Sequence, residues 1–299
     1  MQQCAHHIEL GNDLVDIVGT GGDSKNTFNI STVSSFVAAA AGLQVAKHGN
    51  RSVSSQSGSA DLLLEAGFTL HFPDEALCQA MENYGITFLF APHFHEAMRH
   101  AKNARQALGI RTLFNLLGPL VNPANVKKQV VGVSSKQWLL PPAQVLARLG
   151  SQHALVINSQ DGLDEISIAA KTNVIEYQAG EFKEWSIDPK EHRCFHATLN
   201  DIVVENPKQS LTLAMSVFAG EKGPARDIVL LNTALALYCI VLYCGDLTSN
   251  YSEAITLASN ALDSGLAHKR LDVQQAKKDY PIERLVDRAP YPFGILSAH

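Results

Sequence analysis

Residues 14–58 read LVDIVGTGGDSKNTFNISTVSSFVAAAAGLQVAKHGNRSVSSQSG. An apolar run, Val15–Val18, enters a loop with three glycines. An Ala-rich stretch, Val33–Gly42, has helical composition and stops at a glycine. A second apolar run, Gln44–Lys47, enters a second loop crowded with serines. Strand, loop, helix, strand, loop makes the two strands parallel and sets both loops at one edge of the same sheet. The rhythm continues outward. A helix over Ala60–Ala66 ends at Gly67, a strand over Thr87–Phe90 is stopped by Pro92, and strands follow at Gln129–Val133 and Ala154–Ile157. The fold class is therefore α/β, a large parallel sheet with flanking helices.

Residues 171–207 break the rhythm with a polar strand, Thr172–Tyr177, a Gly180 turn and mixed-charge loops, which read as a small β-rich excursion. Helices are expected at Leu211–Phe218, Ala225–Tyr243, Tyr251–Ser264 and Gly265–Lys278. Phe94–Leu108 also has a helical period, with His95, Arg99, His100, Lys102 and Arg105 on it. Residues 1–13 show no such period. Residues 280–299, with Pro281, Pro290, Pro292 and Gly294, read as an irregular tail.

The 299 residues carry 24 Lys and Arg against 29 Asp and Glu, a formal net charge of −5. With a pI near 6.2 there is no broad basic patch, so nucleic acid is not the expected partner and any anion must be held by local groups. The five cysteines, Cys4, Cys78, Cys194, Cys239 and Cys244, are scattered without a C-x-x-C pair. That pattern suits reduced thiols and a cytoplasmic location. The longest apolar run, near Leu230–Cys244, is interrupted by Asn232 and Thr233, and no membrane span is expected.

Three loops carry chemistry. In the first, the glycines of GTGGD (19–23) let the backbone approach a ligand, and Asn29, Ser31 and Thr32 open the following helix, whose free N–H groups and dipole attract an anion. A tight turn with an N-cap would read the same way. The loop matches neither the P-loop nor the dinucleotide fingerprint. In the second, Lys47, His48, Gly49, Asn50, Arg51 and a cluster of Ser up to Ser59 supply many donors and few acceptors, as a phosphosugar or polyphosphate requires. The third, Asp161-Gly162-Leu163-Asp164-Glu165, sets adjacent carboxylates just past a strand. Alone it is a common turn; beside two phosphate loops it reads as a hard-oxygen site for Mg2+. One cation of the 94–108 stretch would clamp a substrate carboxylate. His93 and His95 read as structural or binding residues, and Gly118–Pro123 as a rigid wall.

These stretches resemble the anthranilate phosphoribosyltransferases. The resemblance rests on GTGGD (19–23), NTFNIST (26–32), KHGNRSVSS (47–55), SGSADLL (57–63), RTLFNLLGPLVNPA (111–124), DGLDE (161–165) and GEKGPARDIVLLN (220–232), and runs from about residue 14 to 270. It implies transfer of the phosphoribosyl group of phosphoribosyl pyrophosphate to the amino group of anthranilate, a step of tryptophan biosynthesis. The implied fold is like that of nucleoside phosphorylases, with a catalytic α/β domain over 14–279. A small helical domain would be represented by residues 1–13 and the helices around 92–108, and would be incomplete here.

Carried over by position, the resemblance assigns the phosphoribosyl donor to Gly19, Gly22, Asp23, Thr27, Asn29, Ile30, Ser31, Thr32, Lys47, His48, Gly49, Asn50, Arg51, Ser52, Val53, Ser54, Ser55 and Ser59. It assigns anthranilate to Gly19, Asn50 and Arg105, with His48 lining that side. Two Mg2+ ions fall to Ser31 and to Asp164 with Glu165, and no strong general base is implied. The family forms homodimers through an N-terminal helical segment. Only about fifteen residues precede the first strand here, so dimerisation and full activity are not expected to follow automatically. A nucleic-acid-binding relative of the same fold would show a basic surface and eroded loops, which this sequence lacks.

Overall fold

The computed structural model describes residues 1–52, 56–101, 113–244 and 251–270. The first βαβ unit is β1 (Leu14–Gly19), α1 (Ile30–Ala40) and β2 (Gln44–Gly49). Then come α2 (Ser59–Glu65), α3 (Asp74–Tyr84), β3 (Ile86–Phe90), β4 (Lys128–Gly132), β5 (His153–Ser159), β6 (Thr172–Gln178) and β7 (Glu181–Ile187). The seven strands form one sheet in the order β3-β2-β1-β4-β5-β6-β7. The first five are parallel; β6 and β7 are added antiparallel.

The sheet explains its sequence. Every residue of β4 and β5 is buried, as suits parallel strands covered on both faces, whereas β7 at the edge is exposed over most of its length. On one face, Val33, Phe36 and Val37 of α1 share a core with Val15 and Ile17 of β1 and with Ile228, Leu231 and Leu235 of a 21-residue helix, Pro224–Cys244. That long helix is apolar on nearly every side because it is buried on nearly every side. No helix among the described residues is long and apolar enough to cross a membrane.

Several expectations are corrected. The helix after the first loop begins at Ile30, not Val33, because Asn29 takes the capping position and its carbonyl accepts the Val33 N–H at 3.0 Å. Ser31 and Thr32 therefore sit inside its first turn. The helix expected over Phe94–Leu108 is broken at its start: Ala91–Phe94 forms one turn, and the chain leaves it at His95. The Phe94 carbonyl accepts the His6 N–H at 2.9 Å, and Phe94 and His95 are drawn into the interior, so the chain turns there. Arg105 and the rest of that stretch to residue 112 lie outside the described residues, as do Val53, Ser54, Ser55 and the tail from 271. The β-rich excursion is no separate unit: Ile157 of β5 registers with Val174 of β6, so the hairpin continues the main sheet. Two helices, α3 and Leu140–Arg148, had no counterpart in the sequence reading. Residues 1–13 are not helical beyond Gln2–Cys4, yet Ile8 and Leu10 are buried against Leu77, Met81 and Phe94.

Candidate active site

In an open α/β sheet, ligands bind outside the carboxyl ends of the strands, where the strand order reverses direction. Here that point lies between β1 and β4. Their last residues, Gly19 and Gly132, are paired in register. Asp164 crowds both, with its side chain at Gly19 and its backbone at Gly132. A Cβ on Gly19 would lie 2.5 Å from Asp164 Oδ2, and a Cβ on Gly132 would lie 1.6 Å from the Asp164 carbonyl oxygen. The two bare strand ends make the slot into which the acidic loop descends. Gly132 carried no signal in the sequence reading.

The acidic loop is held from three sides. Ser159 Oγ donates to the Glu165 carbonyl at 3.0 Å. Asp161 caps its own loop, accepting from Ser167 Oγ at 2.7 Å and from the Leu163 N–H, so it is a turn residue. Asn232, buried in the Pro224–Cys244 helix, accepts the Ile166 N–H at 2.9 Å and donates to the Ile166 carbonyl at 3.0 Å. Asn232 thus fixes the backbone beside Glu165. The sequence offered a faint clue, a polar residue inside an apolar helix.

So placed, the acids reach the first loop. Asp164 Oδ2 accepts the Gly21 N–H at 2.6 Å and Glu165 Oε1 accepts the Ser31 N–H at 2.8 Å. The loop itself is held in left-handed backbone at Gly21 (φ 67°) and Gly22 (φ 69°), which only glycine adopts freely. Burial pushes the Glu165 carboxyl well above the usual carboxylate range, and the neighbouring negative charges of Asp164 and Asp23 push it further. Lys47 is fully buried beneath this cluster and donates to the Ile17 carbonyl and to Ser31 Oγ. Its ammonium is pushed down by burial, against the opposing pull of Asp16 and Glu165. Asp16 lies deeper, raised to about 6 by burial. It accepts from Asn122 at 2.8 Å, and Asn122 also donates to the Ala46 carbonyl. The Gly118–Pro123 wall is thereby bolted to β1 and β2.

The other assigned residues divide. Asp23 accepts the Lys25 N–H, and Thr27 bridges to Val203. The Asn29 side chain is tied to the fold: Ser57 and Ser210 hydroxyls donate to its oxygen, and its amide donates to the Ser57 carbonyl. The Ile30 side chain is core, leaving only its backbone for a ligand. Thr32 Oγ1 is buried without a hydrogen-bond partner among the described residues. Arg51 Nε donates to Asp61 at 2.8 Å, and Asp61 also accepts the Ser52 and Gly58 N–H groups, so Asp61 shapes the second loop and holds one side of the Arg51 guanidinium. Asn50 is exposed, with its carbonyl accepting from Ser59 Oγ. Gly49 approaches Ser59 and Phe88 so closely that a Cβ would lie 2.3 Å from Ser59 Oγ. His48 is buried, its ring 5.2 Å from that of His95, and neither Nε2 has a partner among the described residues. Burial and the nearby His95 push His48 down to about 3, so it is neutral at pH 7.

The chain matches the model of the glycosyl transferase family, a/b domain, over residues 11–268. An anthranilate phosphoribosyltransferase of Legionella pneumophila (strain Paris) is 60% identical over 268 residues, 90% of this chain and 76% of that protein. The chain belongs to the anthranilate phosphoribosyltransferase family. Solved structures of the family agree with the fold. The enzyme from Thermus thermophilus superposes with a TM-score of 0.83 at 41% identity, over 91% of this chain and 80% of that one. The anthranilate phosphoribosyltransferase of Saccharomyces cerevisiae in complex with PRPP and Mg gives 0.81 at 31% identity, over 93% and 77% of the two chains. Another structure of the yeast enzyme holds 4-fluoroanthranilate.

Proposed function

We propose that this chain transfers the phosphoribosyl group of phosphoribosyl pyrophosphate to the amino group of anthranilate, releasing pyrophosphate. The observation that carries the reading is the meeting of Gly21, Ser31, Asp164 and Glu165 at the switch point of the sheet. Donors for a diphosphate and acids for its counter-ion share one cleft.

Mg2+ fits these residues. Asp164 and Glu165 are hard oxygen donors, and their mutual repulsion is relieved by a cation. No group of three or more His, Cys, Asp or Glu among the described residues is arranged to hold a metal alone. That suits an ion that completes its shell with water and substrate oxygens. Asp164 and Glu165 would hold one ion and the Ser31 hydroxyl a second. When bound, Mg2+ neutralises charge growing on the departing pyrophosphate.

The protein's own groups do the rest. The Gly19–Asp23 backbone and the first turn of α1 bind and orient the diphosphate, and their fixed dipoles favour the transition state, in which negative charge moves onto the leaving group. The aromatic amine is already a free nucleophile, and no strong base is required. His48, pushed down to about 3, is too weak a base to take the amine's proton at neutral pH and serves as a wall. Arg105 pairs with the anthranilate carboxylate and Asn50 helps position that substrate. In this reading residues 14–279 are the catalytic domain, residues 1–13 and the stretch around 92–108 belong to the small helical domain, and the protein works in the cytoplasm.

Loss of anthranilate fluorescence on mixing the protein with phosphoribosyl pyrophosphate and Mg2+ tests the activity. Turnover is expected and should stop on addition of EDTA; a flat trace from folded protein overturns the proposal. Arg105→Ala should raise the apparent KM for anthranilate about tenfold or more, with a smaller change for the sugar donor. Equal effects on both substrates would remove Arg105 from the anthranilate site.

A further inference from the structure

The donors assigned to the pyrophosphate are already satisfied from within the protein. The Gly21 N–H is taken by Asp164 Oδ2 at 2.6 Å and the Ser31 N–H by Glu165 Oε1 at 2.8 Å. One N–H lies in the glycine loop and the other in the first turn of α1, so the contact spans the cleft's anion-binding surface. The same two side chains are those assigned to the cation. The backbone that carries them is fixed by its neighbours: Asn232 pins Ile166, Ser159 pins the Glu165 carbonyl, and the Asp164 backbone fills the slot left by Gly132. A diphosphate arriving without a metal would have to take both N–H groups from the two carboxyl groups and then lie against the oxygens of Asp164 and Glu165.

We infer that Asp164 and Glu165 act as internal surrogate anions on the phosphate-binding N–H groups, so that the cleft rejects the metal-free donor and admits the donor only together with a divalent cation. This rests on the site reading above and deepens it. In the resting protein the surrogate leaves neither N–H group unpaired, which would otherwise cost stability. When a metal-bound diphosphate enters, the carboxylates exchange an N–H partner for a cation and the N–H groups exchange a carboxylate for a phosphate oxygen. The N–H groups and the acids therefore set a selectivity that neither would have alone. A glycine loop capped by neutral residues would bind inorganic phosphate and free diphosphates as readily as the metal complex.

The test is calorimetric titration of phosphoribosyl pyrophosphate into the full chain, once with Mg2+ and once with EDTA, for the wild type, Asp164→Asn and Glu165→Gln. Both substitutions keep an oxygen that accepts the N–H and remove the charge. The wild type should bind with Mg2+ and far more weakly in EDTA. In EDTA each variant should bind the donor about tenfold or more tightly than the wild type does, while its gain from Mg2+ shrinks. Glu184→Gln, at an exposed acid on β7, should change neither titration and so separates a local effect from net charge. If folded variants bind the metal-free donor no better than the wild type, the surrogate-anion inference is wrong. If the wild type fails to bind the donor even with Mg2+, it is the site reading itself that fails.

Discussion

Gly132→Ala is expected to lower kcat/KM by about a hundredfold or more and to lower the thermal midpoint as well. The added Cβ would lie 1.6 Å from the Asp164 carbonyl oxygen and 2.7 Å from its carbonyl carbon. Those are backbone atoms, so no rotamer change relieves the clash. Either β4 moves away from β1 and β5, breaking a register shared by Gly19, Gly132 and Ile157, or the Asp164–Glu165 loop lifts from its slot. The second course displaces both acids from Gly21 and Ser31, and misplacement of about 1 Å is enough for a loss of this size. Gly118→Ala is the matched control, because a Cβ there meets nothing within 4 Å among the described residues. Steady-state kinetics with both substrates, alongside thermal melts, would check the pair. A Gly132→Ala enzyme with wild-type kcat/KM would show that the slot is not required.

The second large effect concerns stability at the opposite end of the sheet. His153, at the start of β5, is fully buried; its Nε2 contacts Glu176 Oε1 at 2.8 Å and its Nδ1 contacts the Cys239 carbonyl at 2.7 Å. Glu176 of β6 also accepts from Trp185 Nε1 of β7 at 2.9 Å and from the Tyr238 hydroxyl at 3.2 Å. One carboxylate therefore joins three strands to the Pro224–Cys244 helix. Burial alone would lower the His153 pKa, but Cys239 and the Glu176 carboxylate outweigh it and raise it to about 10. Burial alone would raise the Glu176 carboxyl, but its bonds to His153, Trp185 and Tyr238 hold it below the usual range.

Glu176→Ala leaves a buried imidazolium and two donors without their acceptor, and should cost about 3–5 kcal/mol, read as a lower urea midpoint. The sign with pH follows from linkage. The raised His153 value contributes stability that is full below its ordinary 6.5 and is lost as pH rises through about 10. The depressed Glu176 value contributes stability present above its ordinary 4.5 and lost as pH falls through the folded value. The gap between wild type and variant should therefore be widest between those limits and narrow beyond either one. A gap that stays constant from pH 4 to 11, or one below about 1 kcal/mol at pH 7, would show that the pair is not ionised.

The parts of the site that were legible in the sequence are those where local chemistry is unusual. Glycines, hydroxyls and cations between an apolar run and a helix mark a donor-rich loop. Asp164 and Glu165 stood out only beside those loops. Arg51 and Asn29 stood out by composition; that they also bond Asp61, Ser57 and Ser210 is visible only in the fold. A donor's identity is local; what it donates to is not. Gly132, Asn232, Asn122 and Asp16 were not assigned ligand roles, since each acts through contact with a residue far away in the chain.

The same division holds for the fold. The alternation of apolar runs with glycine-closed helices determined a parallel α/β sheet, because hydrophobic period and turn chemistry are properties of neighbours in sequence. Strand order was not available from that pattern. That β4 lies beside β1, and that β6 and β7 extend the sheet beyond β5, are decided by which buried faces fit together once the long Pro224–Cys244 helix covers them. The chain by itself thus marked out the donor-rich loops and the acids. Only the tertiary structure decided that the acids rest on the loops, because the slot that brings them there is formed by two strand ends, Gly19 and Gly132, that lie far apart in the chain and meet at the switch point.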